Sequence, residues 1–172
     1  MNLPNKLTMA RCVMIPIFMA LILKGLYIWA LVVFAIASFT DFLDGYLARK
    51  YNLVSSFGKI MDPLADKLLA FSALLAFIQL DVVSMWAPII IIAREFFVTS
   101  LRVVAVSKGQ VIAASWWGKI KTNVQLFASI FAMLLCHFGK IEIAGYLIWA
   151  AAIFTVASWV AYIFENISIF KD

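Results

Sequence analysis

Asp41-Phe-Leu-Asp44-Gly45-Tyr-Leu-Ala48-Arg49, followed after eight residues by Gly58-Lys-Ile-Met-Asp62-Pro-Leu-Ala-Asp66, is the stretch on which the fold of this chain turns. It gathers four of the chain's nine acidic side chains into 26 residues, between two long apolar runs. Asp41 and Asp44 are three apart and Asp62 and Asp66 four apart, so on helices each pair shares a face. A short connection returns the second helix antiparallel to the first and lets the two acidic faces meet at one level. Carboxylates left bare in apolar surroundings cost several kcal/mol each, so the arrangement asks for cations.

The rest of the sequence says what those surroundings are. Of 172 residues, 66% are hydrophobic, where an ordinary soluble domain has roughly 45–50%. Charged residues make up 13% and the mean hydropathy is +1.03, which leaves too few polar side chains to cover a water-facing surface. A soluble globular enzyme is excluded. A bilayer-crossing helix needs about 20 residues, at ~1.5 Å each across ~30 Å of hydrocarbon. Breaks at charges and turn residues then divide the chain into six spans, about 9–24, 27–48, 58–80, 84–106, 119–138 and 142–166. The expectation is one all-α transmembrane domain over residues 1–172, with no room for a separate soluble unit.

With the N-terminus in the cytoplasm, eleven of the 14 Lys and Arg residues fall on the inner side, two (Lys24 and Lys140) on the outer side, and Arg94 within the fourth span. This positive-inside bias sets the expected orientation. The net charge of +5 does not suggest nucleic acid, because the bases are scattered singly between apolar runs. The first apolar stretch is not a cleavable signal: Lys24-Gly25-Leu26-Tyr27 follows it where small residues would mark a cleavage site. Residues 1–11 mix polar and apolar side chains behind Pro4. They read either as a short interfacial helix roofing the site or as the polar end of the first span. Cys12 and Cys136 sit in apolar runs without metal-ligand spacing, as small buried hydrophobes do.

Four hard oxygen donors with no thiolate or imidazole beside them favour Mg²⁺ or Mn²⁺ over zinc or copper. Two such ions can clamp a pyrophosphate-linked substrate and stabilise both oxygens of an in-line displacement, while a carboxylate beside them takes the proton of an attacking hydroxyl. The bland alternative is an aqueous vestibule whose acids pair with Arg49, Lys59 and Lys67. Spacing decides between the two. The window resembles the signature of the CDP-alcohol phosphotransferase family, D-x2-D-G-x2-A-R-x8-G-x3-D-x3-D, at all eight specified positions.

The resemblance implies that family's fold: six transmembrane helices, a short N-terminal interfacial helix and a homodimeric assembly. It implies metal ligation by Asp41, Asp44, Asp62 and Asp66, with Asp66 as catalytic base. It further implies a CDP-binding surface of Asp44, Gly45, Ala48, Arg49 and Gly58. Arg49 can donate paired hydrogen bonds to phosphate oxygens, with a cytoplasmic anchor as its plainer role. The glycines clear space for the nucleotide or for helix packing.

An acceptor alcohol that carries its own phosphate needs cations beyond that signature. Arg94 and Arg102 on the fourth span and Lys119 and Lys121 on the fifth are the candidates, although Arg94 could simply pair with Glu95. The segments Asn2 to Arg11, Arg94 to Arg102 and Gly118 to Gln125 resemble the branch of the family that uses glycerol 3-phosphate. The implied reaction is transfer of the phosphatidyl group of CDP-diacylglycerol to glycerol 3-phosphate, in a bacterial plasma membrane, with the site facing the cytoplasm. The cardiolipin-forming branch is the nearest alternative. A divalent-cation transporter is the alternative of another class, and it would need polar residues continuing to the outer face, where these spans are apolar.

Overall fold

The computed structural model describes residues 3–50, 56–109 and 116–166. They form six helices: α1 (Leu3–Leu23), α2 (Tyr27–Lys50), α3 (Ser56–Gln79), α4 (Trp86–Ser107), α5 (Trp116–His137) and α6 (Ile141–Glu165). At 21–25 residues and ~1.5 Å per residue, each is long enough to cross a bilayer. Four of them, α1, α2, α5 and α6, are also apolar enough by composition. The other two carry the charges of interest, Asp62 and Asp66 on α3 and Arg94, Glu95 and Arg102 on α4. The chain is a multi-pass membrane protein.

The helix ends follow the sequence breaks. Gly25 and Gly139 adopt positive φ, 74° and 72°, a conformation that L side chains resist. Around them Leu26 N–H donates to the Leu21 carbonyl at 3.0 Å and Lys140 N–H to the Leu135 carbonyl at 2.8 Å, closing α1 and α5 with the last carbonyls satisfied. One expectation needs correction. Residues 3–11 are the opening turns of α1 and not a separate interfacial helix. Pro4 stands in the first turn, where its missing N–H is not needed, and the helix runs on through the apolar stretch as far as Leu23, with Pro16 in its interior.

The helices associate as two groups of three. α1 packs along α2 and α3, α6 packs along α5 and α4, and α2 meets α5 across the join. Every helix contributes to one apolar core, with Phe18, Phe34, Phe77, Ile91, Met133 and Ile148 from α1 to α6 in turn. That core fills the end of the bundle where α1 turns into α2. The buried polar residues lie towards the opposite end, where α2 leads into α3 and α4 into α5. The segregation follows from cost: a polar path through Phe18, Phe34 and Phe77 would leave groups without partners.

α6 makes a close backbone approach to the turn between α3 and α4. A Cβ on Gly145 of α6 would stand 2.4 Å from the Val82 carbonyl oxygen in the α3–α4 turn. Backbone rather than a flexible side chain is the obstacle, so Gly145→Ala should destabilise the fold by about 1–3 kcal/mol, the usual cost of overpacking. Thermal unfolding in detergent checks this; an unchanged midpoint would show that the turn yields freely.

Candidate active site

The carboxylates of α2 and α3 do not face one another bare. Arg11, on the third turn of α1 and 0% exposed, reaches between Asp41 and Asp44. Its Nη1 lies 2.6 Å from Asp41 Oδ1, and its Nη2 donates to Asp44 Oδ2. Thr8, three residues earlier on the same face of α1, donates its hydroxyl to Asp62 Oδ1 at 2.5 Å. One polar face of α1 thus touches three of the four acidic side chains. Asp41 feels the charge of Asp62, and Asp66 that of Asp41 and Glu95, so the group acts electrostatically as one cluster. Among the described residues, no three acidic, His or Cys side chains converge on a single point.

Sequence reasoning missed Arg11 and Thr8. The positive-inside count places Arg11 among the inner-side cations without giving it a partner; in the structure it is fully buried. The signal that could have found it was helical spacing: Thr8 and Arg11 are i and i+3 behind a helix-opening proline, the same pattern that singled out the aspartates.

A cavity of about 290 Å³ opens beside this cluster, between the two groups of helices. Asp41 and Ser38 line it from α2, Asp66 and Lys67 from α3, Glu95 from α4, and Lys121, Asn123 and Gln125 from α5. Asp66 is exposed within the opening, whereas Asp44 is 2% exposed beneath Arg11. The α4–α5 wall is a second charge network. Glu95 Oε1 accepts from Lys121 Nζ at 2.5 Å and from Arg94 Nη1 at 3.0 Å. Lys121 also donates to Gln125 Oε1 at 2.6 Å, and Arg94 to Ser158 Oγ of α6 at 3.2 Å.

The expected acceptor cations therefore separate. Lys121 is buried and lines the cavity. Arg94 is buried behind Glu95 and holds the wall to α6. Arg102 stacks over the Tyr162 ring at 5.9 Å, and Lys119 lies exposed over the Trp116 ring at 5.8 Å, neither lining the cavity. Two residues along a helix is a turn of about 200°, which is why Lys119 and Lys121 part company. Gly45 and Gly58 fall at the facing ends of α2 and α3, Gly58 buried. Ala48 and Arg49 lie on α2 as expected, with side chains outside the described residues, as is that of Lys59.

The sequence matches the CDP-alcohol phosphatidyltransferase family over residues 1–157. The chain belongs to that family. It is 43% identical to the CDP-diacylglycerol–glycerol-3-phosphate 3-phosphatidyltransferase of Bacillus subtilis, over 96% of this chain and 95% of that one. It is 40% identical to a probable phosphatidylglycerophosphate synthase of Mycobacterium tuberculosis, over 94% of this chain and 80% of that one. A Rickettsia felis protein named like the Bacillus one is also 40% identical, over 94% and 93% of the two chains. The chain is a phosphatidyltransferase enzyme by this membership.

CDP-alcohol phosphatidyltransferases generally depend on a divalent metal. The residues present suit one in kind: Asp41, Asp44, Asp62 and Asp66 offer hard oxygen donors in one electrostatic cluster, with no soft ligand among them.

The second network is testable without substrate. Glu95→Leu leaves the buried Lys121 and Arg94 without their carboxylate and should destabilise the protein by about 3 kcal/mol, as breaking a buried ion pair does. Adding Lys121→Met replaces both partners of that pair with apolar groups and should recover a good part of the loss. Thermal midpoints of the single and double variants would decide; a double variant less stable than either single one would contradict the pairing.

Proposed function

We propose that this protein transfers the phosphatidyl group of CDP-diacylglycerol to the sn-1 hydroxyl of sn-glycerol 3-phosphate, releasing CMP. It would act as a single six-span domain of a bacterial plasma membrane, with the cavity open to the cytoplasm and a second copy completing a homodimer. The observation that carries the reading is one cavity lined at once by Asp41, Asp66 and Lys121. A carboxylate cluster, a solvent-reachable base and a buried cation stand where a lipid-linked diphosphate and a small phosphorylated alcohol would have to meet. The names of the relatives support the choice of acceptor.

Asp41, Asp44, Asp62 and Asp66 would hold the divalent metal, Mg²⁺ or Mn²⁺ and in two copies, whose chemistry is to neutralise the diphosphate and stabilise the departing CMP. Asp44, Gly45, Ala48, Arg49 and Gly58 would bind the CDP group, the glycines by admitting it closely and Arg49 by donating to phosphate oxygens. Lys121, with Lys67 across the cavity, would draw in the acceptor's phosphate. Glu95 and Gln125 keep the Lys121 ammonium aimed into the cavity, since it donates to both.

Asp66 then takes the proton from the acceptor hydroxyl as its oxygen attacks the phosphorus on the diacylglycerol side. The P–O bond to CMP breaks, and no covalent enzyme intermediate is needed. Asp66 suits this role because it is exposed and lines the cavity. The cytosolic substrates would enter through the polar end, while the acyl chains stay in lipid.

CMP release by the purified protein, with CDP-diacylglycerol, Mg²⁺ or Mn²⁺ and each candidate acceptor in turn, tests the reading. Release with glycerol 3-phosphate alone is expected. Release only with phosphatidylglycerol or another alcohol would move the chain to a different branch of the family. Asp66→Asn should abolish turnover while keeping CDP-diacylglycerol binding; loss of binding with chemistry intact would remove Asp66 as base. Lys121→Ala should raise the acceptor KM at least about tenfold, the scale of one charge-assisted contact, and leave the lipid KM nearly unchanged. Lys119→Ala should change neither, and equal effects of the two substitutions would refute the acceptor site.

A further inference from the structure

The guanidinium of Arg11 and a divalent cation need the same oxygens. Arg11 is 0% exposed, and its two terminal nitrogens engage Asp41 and Asp44 separately, so that one cation answers two carboxylates. Its Nε is buried without a hydrogen-bond partner among the described residues, which leaves these two aspartates as the group's anchors. The helix holds it there, because Thr8 one turn earlier is tied to Asp62.

Resting on the metal-binding role proposed above, we infer that Arg11 is a built-in counter-cation that competes with the divalent metal for Asp41 and Asp44. It thereby sets how tightly the substrate-free protein holds that metal. Two physical terms lead to this. A positive charge within hydrogen-bond distance of both carboxylates occupies lone pairs and repels a second cation. Without Arg11, the buried carboxylate of Asp44 would stand uncompensated beside that of Asp41, a penalty that an incoming metal relieves. Arginine suits the place because a planar fork bridges two carboxylates and is weakly hydrated, so it tolerates burial better than an ammonium. A lysine could satisfy only one of the two.

The alternative is a purely positioning residue that aims the carboxylates at the metal, and the two roles predict opposite signs. The measurement is Mn²⁺ binding to the full-length, substrate-free protein in detergent, read from loss of the free-Mn²⁺ electron paramagnetic resonance signal. The proteins compared are wild type, Arg11→Gln, Arg11→Lys and Asp44→Asn. Arg11→Gln should bind Mn²⁺ about tenfold more tightly than wild type, as expected for releasing a buried charge pair, with Arg11→Lys in between and Asp44→Asn weaker. Should Arg11→Gln fail to elute as folded protein, Arg11→Lys carries the comparison. Arginine variants that bind Mn²⁺ as wild type does, or more weakly, while Asp44→Asn still loses affinity, would overturn the competition and leave the metal site standing. Unchanged binding in Asp44→Asn would overturn the metal site, and the competition with it.

Discussion

A single guanidinium suspended between two carboxylates inside an apolar bundle constrains the rest of this protein. Arg11 is fully buried, and so is nearly all of Asp44. In a low-dielectric setting neither charge is tolerable without the other. The pair therefore ties α1 to α2, and Thr8 extends the tie to α3 through Asp62. Because three helices are joined at their polar ends, their other ends are free to pack purely by shape, with Phe18, Phe34 and Phe77 in a common core.

The second group of helices answers the same constraint differently. Glu95 is shared by Arg94 and Lys121, which ties α4 to α5, and Ser158 brings in α6. The first network keeps more carboxylates than its one guanidinium can balance, and the second keeps one cation more than its carboxylate. What remains between them is a cavity with a carboxylate wall on one side and a cation on the other. Such a chamber suits a reaction that joins a lipid-bound diphosphate to a soluble phosphorylated alcohol, because carboxylates and a cation already face the same space.

Much of this was legible in the sequence. The six apolar runs match the six helices to within a few residues, except at the N-terminus, where α1 begins six residues before the expected span. The breaks were readable because Gly25, Gly109 and Gly139 take positive φ. The aspartate spacing placed Asp41 and Asp44 on one face of α2, and both meet Arg11 there. Less legible was which cation answers them. Arg11 reads as an ordinary inner-side charge, and only the packing of α1 into the angle of α2 and α3 makes it a partner. Lys119 and Lys121 are equally plausible on paper; the rotation of α5 turns one to Trp116 and the other to Glu95.

The sequence by itself therefore determined what depends on local order along the chain: that it is an all-α membrane protein, where its helices start and stop, which acids share a face, and the family it belongs to. Hydropathy and helical period act over one or two turns and are written in consecutive residues. Tertiary structure alone decided the charge partners across helices, Arg11 with Asp41 and Asp44 and Glu95 with Lys121, together with the cavity they frame. The reason is that an ion pair in an apolar interior is set by distance across helices. Residues 33 positions apart, as Arg11 and Asp44 are, become neighbours only when whole helices choose how to pack.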